Sequence, residues 1–198
     1  MTPAPLQLIL GSTSRYRREL LGRLRLPFEV QAPAVDETPL PGETPAATAL
    51  RLALAKAQEV AARYPHAIVI GSDQVAEHDG QAVGKPGSHE RARQQLRAMS
   101  SCSVVFHTAV AVVRAGTGHA GCALVPVTVR FRTLSDSEIE HYLRVEQPYD
   151  CAGSAKSEAL GIALLDSIES SDPTALVGLP LIKTCQLLRE AGLDPLSP

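Results

Sequence analysis

Five charged side chains, far apart in the chain, stand where a sequence places chemistry rather than packing: Arg15, Glu37, Lys56, Asp73 and Lys85. Arg15 follows the hydroxyl-rich turn Ser12-Thr13-Ser14, and Glu37 lies in a proline-dense loop. Lys56 rides on a helix, Asp73 ends the apolar run AIVIGSD, and Lys85 sits in Gly84-Lys85-Pro86 at the return of a hairpin. Two carboxylates converging on one cleft can hold a divalent cation by oxygen ligands, and two lysines with an arginine can neutralise a polyphosphate. Taken one at a time, each residue reads as an ordinary surface charge, and a lysine on a helix is usually solvated. The stretch GQAVGKP imitates a phosphate-binding loop. Pro86 stands where the Walker pattern needs a metal-binding hydroxyl, which excludes a P-loop ATPase or GTPase.

The elements that must position these groups alternate at first between strand and helix. The pattern predicts a strand at Leu6–Leu10, a short helix over Ser14–Leu21 ended by Gly22, and a strand at Phe28–Ala32. Thr44 followed by Pro45 opens a helix that runs to about Tyr64, with Leu50, Ala53, Ala57 and Ala61 on its packed face and Lys56 pointing away from it. AIVIGSDQV is the next strand. Its polar C-terminal end is where open α/β sheets place ligands. Asp79-Gly80 is a hairpin turn, and Ser88 starts a helix reaching Met99. Val104–Val113 and Cys122–Phe131 form paired strands around GTGHAG, and Ser135 with Glu138 makes a capping box for a helix ending near Val145. A glycine-rich loop at Cys151–Gly161, a strand at Ile162–Ile168, a turn at Asp172-Pro173 and a helix over Leu181–Ala191 complete the chain. The expectation is α/β: a mixed twisted sheet with flanking helices, one domain over residues 1–198, in two lobes around a nucleotide-binding cleft.

With 198 residues, 44% of them hydrophobic and 20% charged, the chain has enough apolar material for a real core. A formal charge of -2 argues against a nucleic-acid coat, and 4% aromatics with no basic stripe argue against an RNA-binding module. The start MTPAPLQLIL carries neither a basic leader nor a long apolar run, so no membrane insertion is expected. Cys102, Cys122, Cys151 and Cys185 are too widely spaced for a metal pair and read as reduced cytoplasmic thiols.

Together these stretches resemble one family. GSTSRYRR, VDET at Val35–Thr38, Lys56 in its helix, GSDQV at Gly71–Val75, GKP, CAGSAKSE at Cys151–Glu158 and VGLPL at Val177–Leu181 are similar, in order and over nearly the whole chain, to the Maf nucleoside triphosphate pyrophosphatases. Within that family they resemble the branch that hydrolyses 7-methyl-GTP. The resemblance implies cleavage of a nucleoside triphosphate to monophosphate and pyrophosphate, with a divalent metal cation (Mg, Mn or Co). It makes Asp73 the proton acceptor and assigns Ser12, Arg15, Lys56 and Lys85 to the phosphates. It gives the metal to Glu37 and Asp73, and sets Tyr16, Gln74 and Glu158 where base specificity is decided. It is compatible with a homodimer.

The sequence departs from that pattern at Gly11, where Ala is usual, at Ala155, which replaces a bulky aromatic, and at Ala159-Leu160, which replaces a Gly-aromatic pair. None touches a phosphate ligand; the last two bear on the depth of the base pocket. A carboxylate such as Glu158 accepts from the N–H groups of a guanine edge, which a pyrimidine lacks, and Tyr16 can stack on a cationic methylated ring. Two readings compete with 7-methyl-GTP hydrolysis: a pyrophosphatase for other nucleotides such as dTTP or UTP, and a nucleotide-binding regulator of cell division.

Overall fold

The computed structural model describes residues 6–197. Leu8, Ile9 and Leu10 are all but sealed from solvent and form β1 (Leu8–Gly11). Helix α1 (Arg15–Gly22) follows, capped by the Ser14 hydroxyl, which accepts from the Arg17 amide. Gly22 is the last residue of this helix and Arg23 its cap. The expected strand at Phe28–Ala32 contracts to β2 (Glu29–Val30), both of whose residues are exposed, because little of it finds a neighbour to pair with.

Helix α2 (Pro45–Arg63) begins as read, with Thr44 as cap and Pro45 in the first turn. It is followed by β3 (Ile68–His78), β4 (Gln81–Val83) and α3 (His89–Met99). Then come β5 (Ser103–Arg114), β6 (His119–Phe131) and α4 (Asp136–Glu146), whose capping box is fully formed. The expected strand at Ile162–Ile168 starts late. Leu160–Leu164 is coiled in 3-10 turns, and only Leu165–Glu169 is strand, β7. Gly161 permits the tight packing of this coil: a Cβ there would lie 2.5 Å from the Lys156 carbonyl oxygen, closer than a side chain can come. Helix α5 (Leu181–Glu190) closes the fold.

One sheet joins the seven strands in the order β2-β1-β3-β5-β6-β7, with β4 also on β3. β1 pairs in parallel with β2 on one side and β3 on the other, while β3, β5, β6 and β7 pair antiparallel. From β1 the chain goes out to β2 and returns to β3 on the opposite side. A crevice therefore opens beyond the carboxyl ends of β1 and β3, where strand order reverses. Register deepens it. β1 accompanies β3 only as far as Gly11↔Gly71, and β4 takes up pairing at Ala76↔Val83. Ser72–Val75 of β3 thus lacks a strand neighbour on that edge, which leaves a notch in the sheet.

Three apolar clusters hold the sheet. α1 and α5 pack on one face, through Leu20, Leu21, Leu187 and Leu188 against Leu10, Ile70 and Val112. α2 packs on the other, through Ala53, Ala57 and Val60 against Ile9, Val69 and Ala111. α3 and α4 cover the far end, with Leu96, Met99, Ile139 and Leu143 against Phe106, Val127 and Phe131. Among the described residues no helix is long and apolar enough to cross a membrane.

Candidate active site

The notch in β3 opens into a cavity of about 750 Å³. Alternation along the strand sends Asp73 to the face covered by α2 and Gln74 to the face covered by α1, so the cavity has two chemically different ends.

At the first end stands Lys56. It belongs to the packed face of α2, not to a solvated one, and is 5% exposed. The expectation that it points away from that face is corrected here: beside small Ala53 and Ala57 the helix lies close on the sheet, and the long stem runs buried to the notch. Its Nζ lies 2.7 Å from Asp73 Oδ1 and 2.6 Å from Glu37 Oε1. A buried ammonium needs such partners, since desolvation would otherwise be prohibitive. Burial works to raise the Glu37 carboxyl, but the hydrogen bond and charge of Lys56, with Lys85 and Arg17 behind it, hold it below the ordinary value.

The loop that brings Glu37 here is tied to α2. Arg51 Nε donates to Glu43 Oε1 at 2.6 Å, and Arg51 Nη2 donates to the Thr38 carbonyl at 3.1 Å. Asp36 Oδ1 accepts from the Thr38 amide and hydroxyl. Lys85, exposed on the β3–β4 hairpin side, completes this end of the lining.

Ser12 follows β1 directly and is buried. The arginine that reaches it is Arg17, whose Nη1 donates to Ser12 Oγ at 3.3 Å and whose Nε donates to the Gly178 carbonyl at 2.9 Å. Burial pulls the Arg17 guanidinium below its ordinary pKa, while the Asp73 and Glu37 charges oppose that. Arg15, the arginine expected at the phosphates, is exposed and turns to Tyr16, although it too borders the cavity. Sequence reasoning missed Arg17, yet a signal was present. It lies three and four residues before Leu20 and Leu21, the buried stripe of α1, whereas Arg15 and Arg18 do not share that face.

At the second end, Gln74 Nε2 donates to Thr108 Oγ1, the Ala175 carbonyl and the Leu176 carbonyl, at 2.9 to 3.1 Å. With its nitrogen spent on protein acceptors, Gln74 can offer a ligand only its amide oxygen. Tyr16 and Glu158 border the same cavity, as do Phe106, Cys151 and Ala155.

The loop that grips Gln74 is itself pinned by Asp172, which is buried and accepts from the Thr174 amide and hydroxyl and from the Ile182 amide. That loop also offers the Gly178 carbonyl to both Ser72 and Arg17. All nine residues expected at the site, Ser12, Arg15, Tyr16, Glu37, Lys56, Asp73, Gln74, Lys85 and Glu158, thus border one cavity.

The donor set suits a hard divalent cation. Two carboxylates already meet at one cationic centre, the Lys56 ammonium, and each has a second oxygen. Among the described residues no group of three or more His, Cys, Asp or Glu gathers as a metal centre. A cation held here would take the rest of its oxygens from water and phosphate, as Mg²⁺ usually does.

Residues 7–191 match the family described as Maf-like protein. The chain is 65% identical over 193 residues to the 7-methyl-GTP pyrophosphatase of Polaromonas sp., covering 98% of this chain and 88% of the relative. Identity is 64% to the protein of that name from Albidiferax ferrireducens, with 98% of each chain covered. It is 59% to the one from Bordetella pertussis, over 100% of this chain and 98% of the relative.

Proposed function

The chain belongs to the Maf family, and from that premise we propose that it hydrolyses 7-methyl-GTP to 7-methyl-GMP and pyrophosphate. The observation that carries the reading is the junction of two unlike ends at one notch: a buried Lys56-Asp73-Glu37 cluster flanked by Arg17 and Lys85, and beyond β3 a pocket whose Gln74 and Glu158 present acceptors.

A triphosphate lies with its phosphates among Ser12, Arg17, Lys56 and Lys85. Fixed cations there neutralise charge that grows on the bridging oxygen as the α–β bond breaks. Water attacks the α-phosphorus in line with that bond, and pyrophosphate leaves. Asp73 accepts the proton of the attacking water. Lys56 holds Oδ1, which fixes the carboxylate in place. Glu37 and Asp73 would hold the divalent cation, which supplies Lewis-acid polarisation of the phosphate oxygens.

At the base end, the acceptors of Gln74 and Glu158 match the N1–H and exocyclic N–H groups of guanine, and the Glu158 carboxylate offsets the charge that N7-methylation adds. Selection by hydrogen bonds of this kind is steep, because a mismatched base leaves protein groups unpaired. The reading places the enzyme in the cytoplasm, where nucleotides and a reducing potential suit four free cysteines. It treats a nucleotide as its partner, with no nucleic acid and no membrane involved, and admits a homodimer.

Product analysis tests it. Incubated with Mg²⁺, Mn²⁺ or Co²⁺, the protein should convert 7-methyl-GTP to 7-methyl-GMP and pyrophosphate on chromatography. Release of orthophosphate, or equal turnover of dTTP or UTP, would refute it.

A further inference from the structure

Tyr16 is held by a neighbour that the reaction itself does not use. Arg15 Nη2 donates to the Tyr16 hydroxyl oxygen at 2.7 Å, and the guanidinium carbon lies 4.7 Å from the ring centroid. Arg15 is exposed and faces the charges of Asp150 and Glu19. Its geometry is directed at the phenol rather than at the buried cluster, where Arg17 already serves. Helix α1 therefore sends Arg17 to one end of the cavity and Arg15 to the other.

Cys151 is the phenol's other polar neighbour, its Sγ 3.9 Å from the Tyr16 oxygen and 3.4 Å from Asp150 Oδ1. Burial, reinforced by the Asp150 charge, pushes the Cys151 thiol up to about 11, so it stays protonated at neutral pH. Its single proton serves the carboxylate, which is the nearer and charged acceptor. The sulfur that then faces Tyr16 is only a weak acceptor.

A phenol oxygen has two lone pairs and one proton. Arg15 occupies the acceptor side of Tyr16, and Cys151 does little to hold the proton. Burial also raises the Tyr16 hydroxyl above its ordinary value, against the pull of the Arg15 hydrogen bond, so the proton is present at neutral pH. With a guanidinium already beside the ring, stacking by a second, cationic ring gains less than it would on a bare tyrosine.

We propose that Arg15 is a positioning residue for Tyr16: it fixes the phenol so that its hydroxyl proton is turned into the base end of the cavity, where Tyr16 meets a purine as a hydrogen-bond donor to a ring oxo group. This rests on the reading of the cavity as a guanine nucleotide site. Gln74 and Glu158 then supply the acceptors of that edge and Tyr16 the donor, a pattern that matches an oxo-purine and mismatches adenine.

Two measurements test this. The first needs no nucleotide: with ζ-¹³C tyrosine, the Tyr16 resonance is assigned by its loss in Tyr16→Phe and titrated in the wild type and in Arg15→Ala. Removal of Arg15 should raise the apparent pKa of Tyr16 and shift its resonance; an unchanged titration would overturn the positioning role, whatever the substrate proves to be. The second compares Arg15→Ala, Tyr16→Phe and the double variant on 7-methyl-GTP, GTP and ATP, and in binding inorganic tripolyphosphate. Each single variant should lower kcat/KM for the two guanine nucleotides by about three- to tenfold, mainly through KM, with the double no worse than either. ATP and tripolyphosphate should be little affected. Additive losses, or a loss of tripolyphosphate binding in Arg15→Ala equal to that for the nucleotides, would make Arg15 an independent phosphate ligand and overturn the proposal.

Discussion

Lys56 Nζ lies 2.7 Å from Asp73 Oδ1, joining the middle of helix α2 to the stretch of strand β3 left open on one edge, in a bond almost closed to solvent. Glu37 reaches the same ammonium from an exposed loop. Without substrate the site therefore carries its own counter-cation between the two carboxylates proposed to hold a divalent ion. A triphosphate entering the cavity would add phosphate oxygens to the partners of that ammonium while Asp73 Oδ1 stays held.

Asp73→Asn should separate chemistry from folding. Asparagine keeps a similar shape and an oxygen that can accept from Lys56, and Glu37 remains as its charged partner. The stability loss should stay near 1 kcal/mol, about the value of one weakened hydrogen bond. Loss of a general base should lower kcat by about 10²- to 10⁴-fold. A folded variant, checked by circular dichroism, that turns over normally would remove Asp73 from the role of proton acceptor.

Lys56→Met should have opposite effects on metal and on turnover. With the ammonium gone, Glu37 and Asp73 lose the cation they share, so calorimetric binding of Mn²⁺ without nucleotide should tighten by about tenfold, from the loss of one repelling charge beside the ion. Hydrolysis should fall by more than about 10²-fold, since a fixed cation is missing where charge develops. Unchanged or weaker Mn²⁺ binding would mean that the carboxylates do not hold the metal.

Acid should loosen the loop that carries Glu37. The Arg51 hydrogen bond is the largest influence on Glu43. Burial opposes it, the Leu40 amide and the Thr48 hydroxyl assist it, and the carboxyl is held down to about 2. Because the folded value lies below the unfolded one, near 4.5, the stabilisation is complete above that pH and is lost as pH falls from it toward 2. Glu43→Gln should melt below the wild type at pH 7, the gap closing between these two values. Thermal melts at stepped pH decide it; a gap that persists at the lowest pH would show that packing, not charge, makes the difference.

Helix starts were the most legible feature of the sequence. Ser14, Thr44, Ser88 and Ser135 each cap the helix read from them, because a hydroxyl before an amphipathic run satisfies amides that nothing else reaches. Side-chain destinations were less so. Lysine composition predicts solvent, and only the packing of α2 against β3 shows Lys56 buried. Arg17 and Arg15 differ by two residues and fall on different faces of α1, a distinction that periodicity carries but a motif quoted as a string does not. The notch itself was invisible, since it arises from where β1 stops and β4 begins, a property of long-range register rather than of any local stretch.

Gly71 shows how tightly site and scaffold are joined. It pairs with Gly11 across β1 and β3, and α2 crosses it so closely that a Cβ would lie 2.3 Å from the Ala53 carbonyl oxygen, 2.6 Å from the Ala57 amide nitrogen and 2.9 Å from the Ala57 Cβ. Two of these contacts are backbone and cannot rotate away. Gly71→Ala must therefore push α2 off the sheet between Ala53 and Ala57, the turn that carries Lys56. Overpacking of this sort costs about 1–3 kcal/mol, and here the upper end applies because helix and strand are both fixed by neighbours. The activity loss should exceed what the unfolded fraction explains, since displacing Lys56 by a few tenths of an ångström weakens a 2.7 Å bond to Asp73. Melting temperature and kcat measured on the same preparation, well below the melt, separate the two effects. Full kcat in the folded fraction would mean that α2 yields elsewhere and that the Lys56–Asp73 distance does not depend on this close approach.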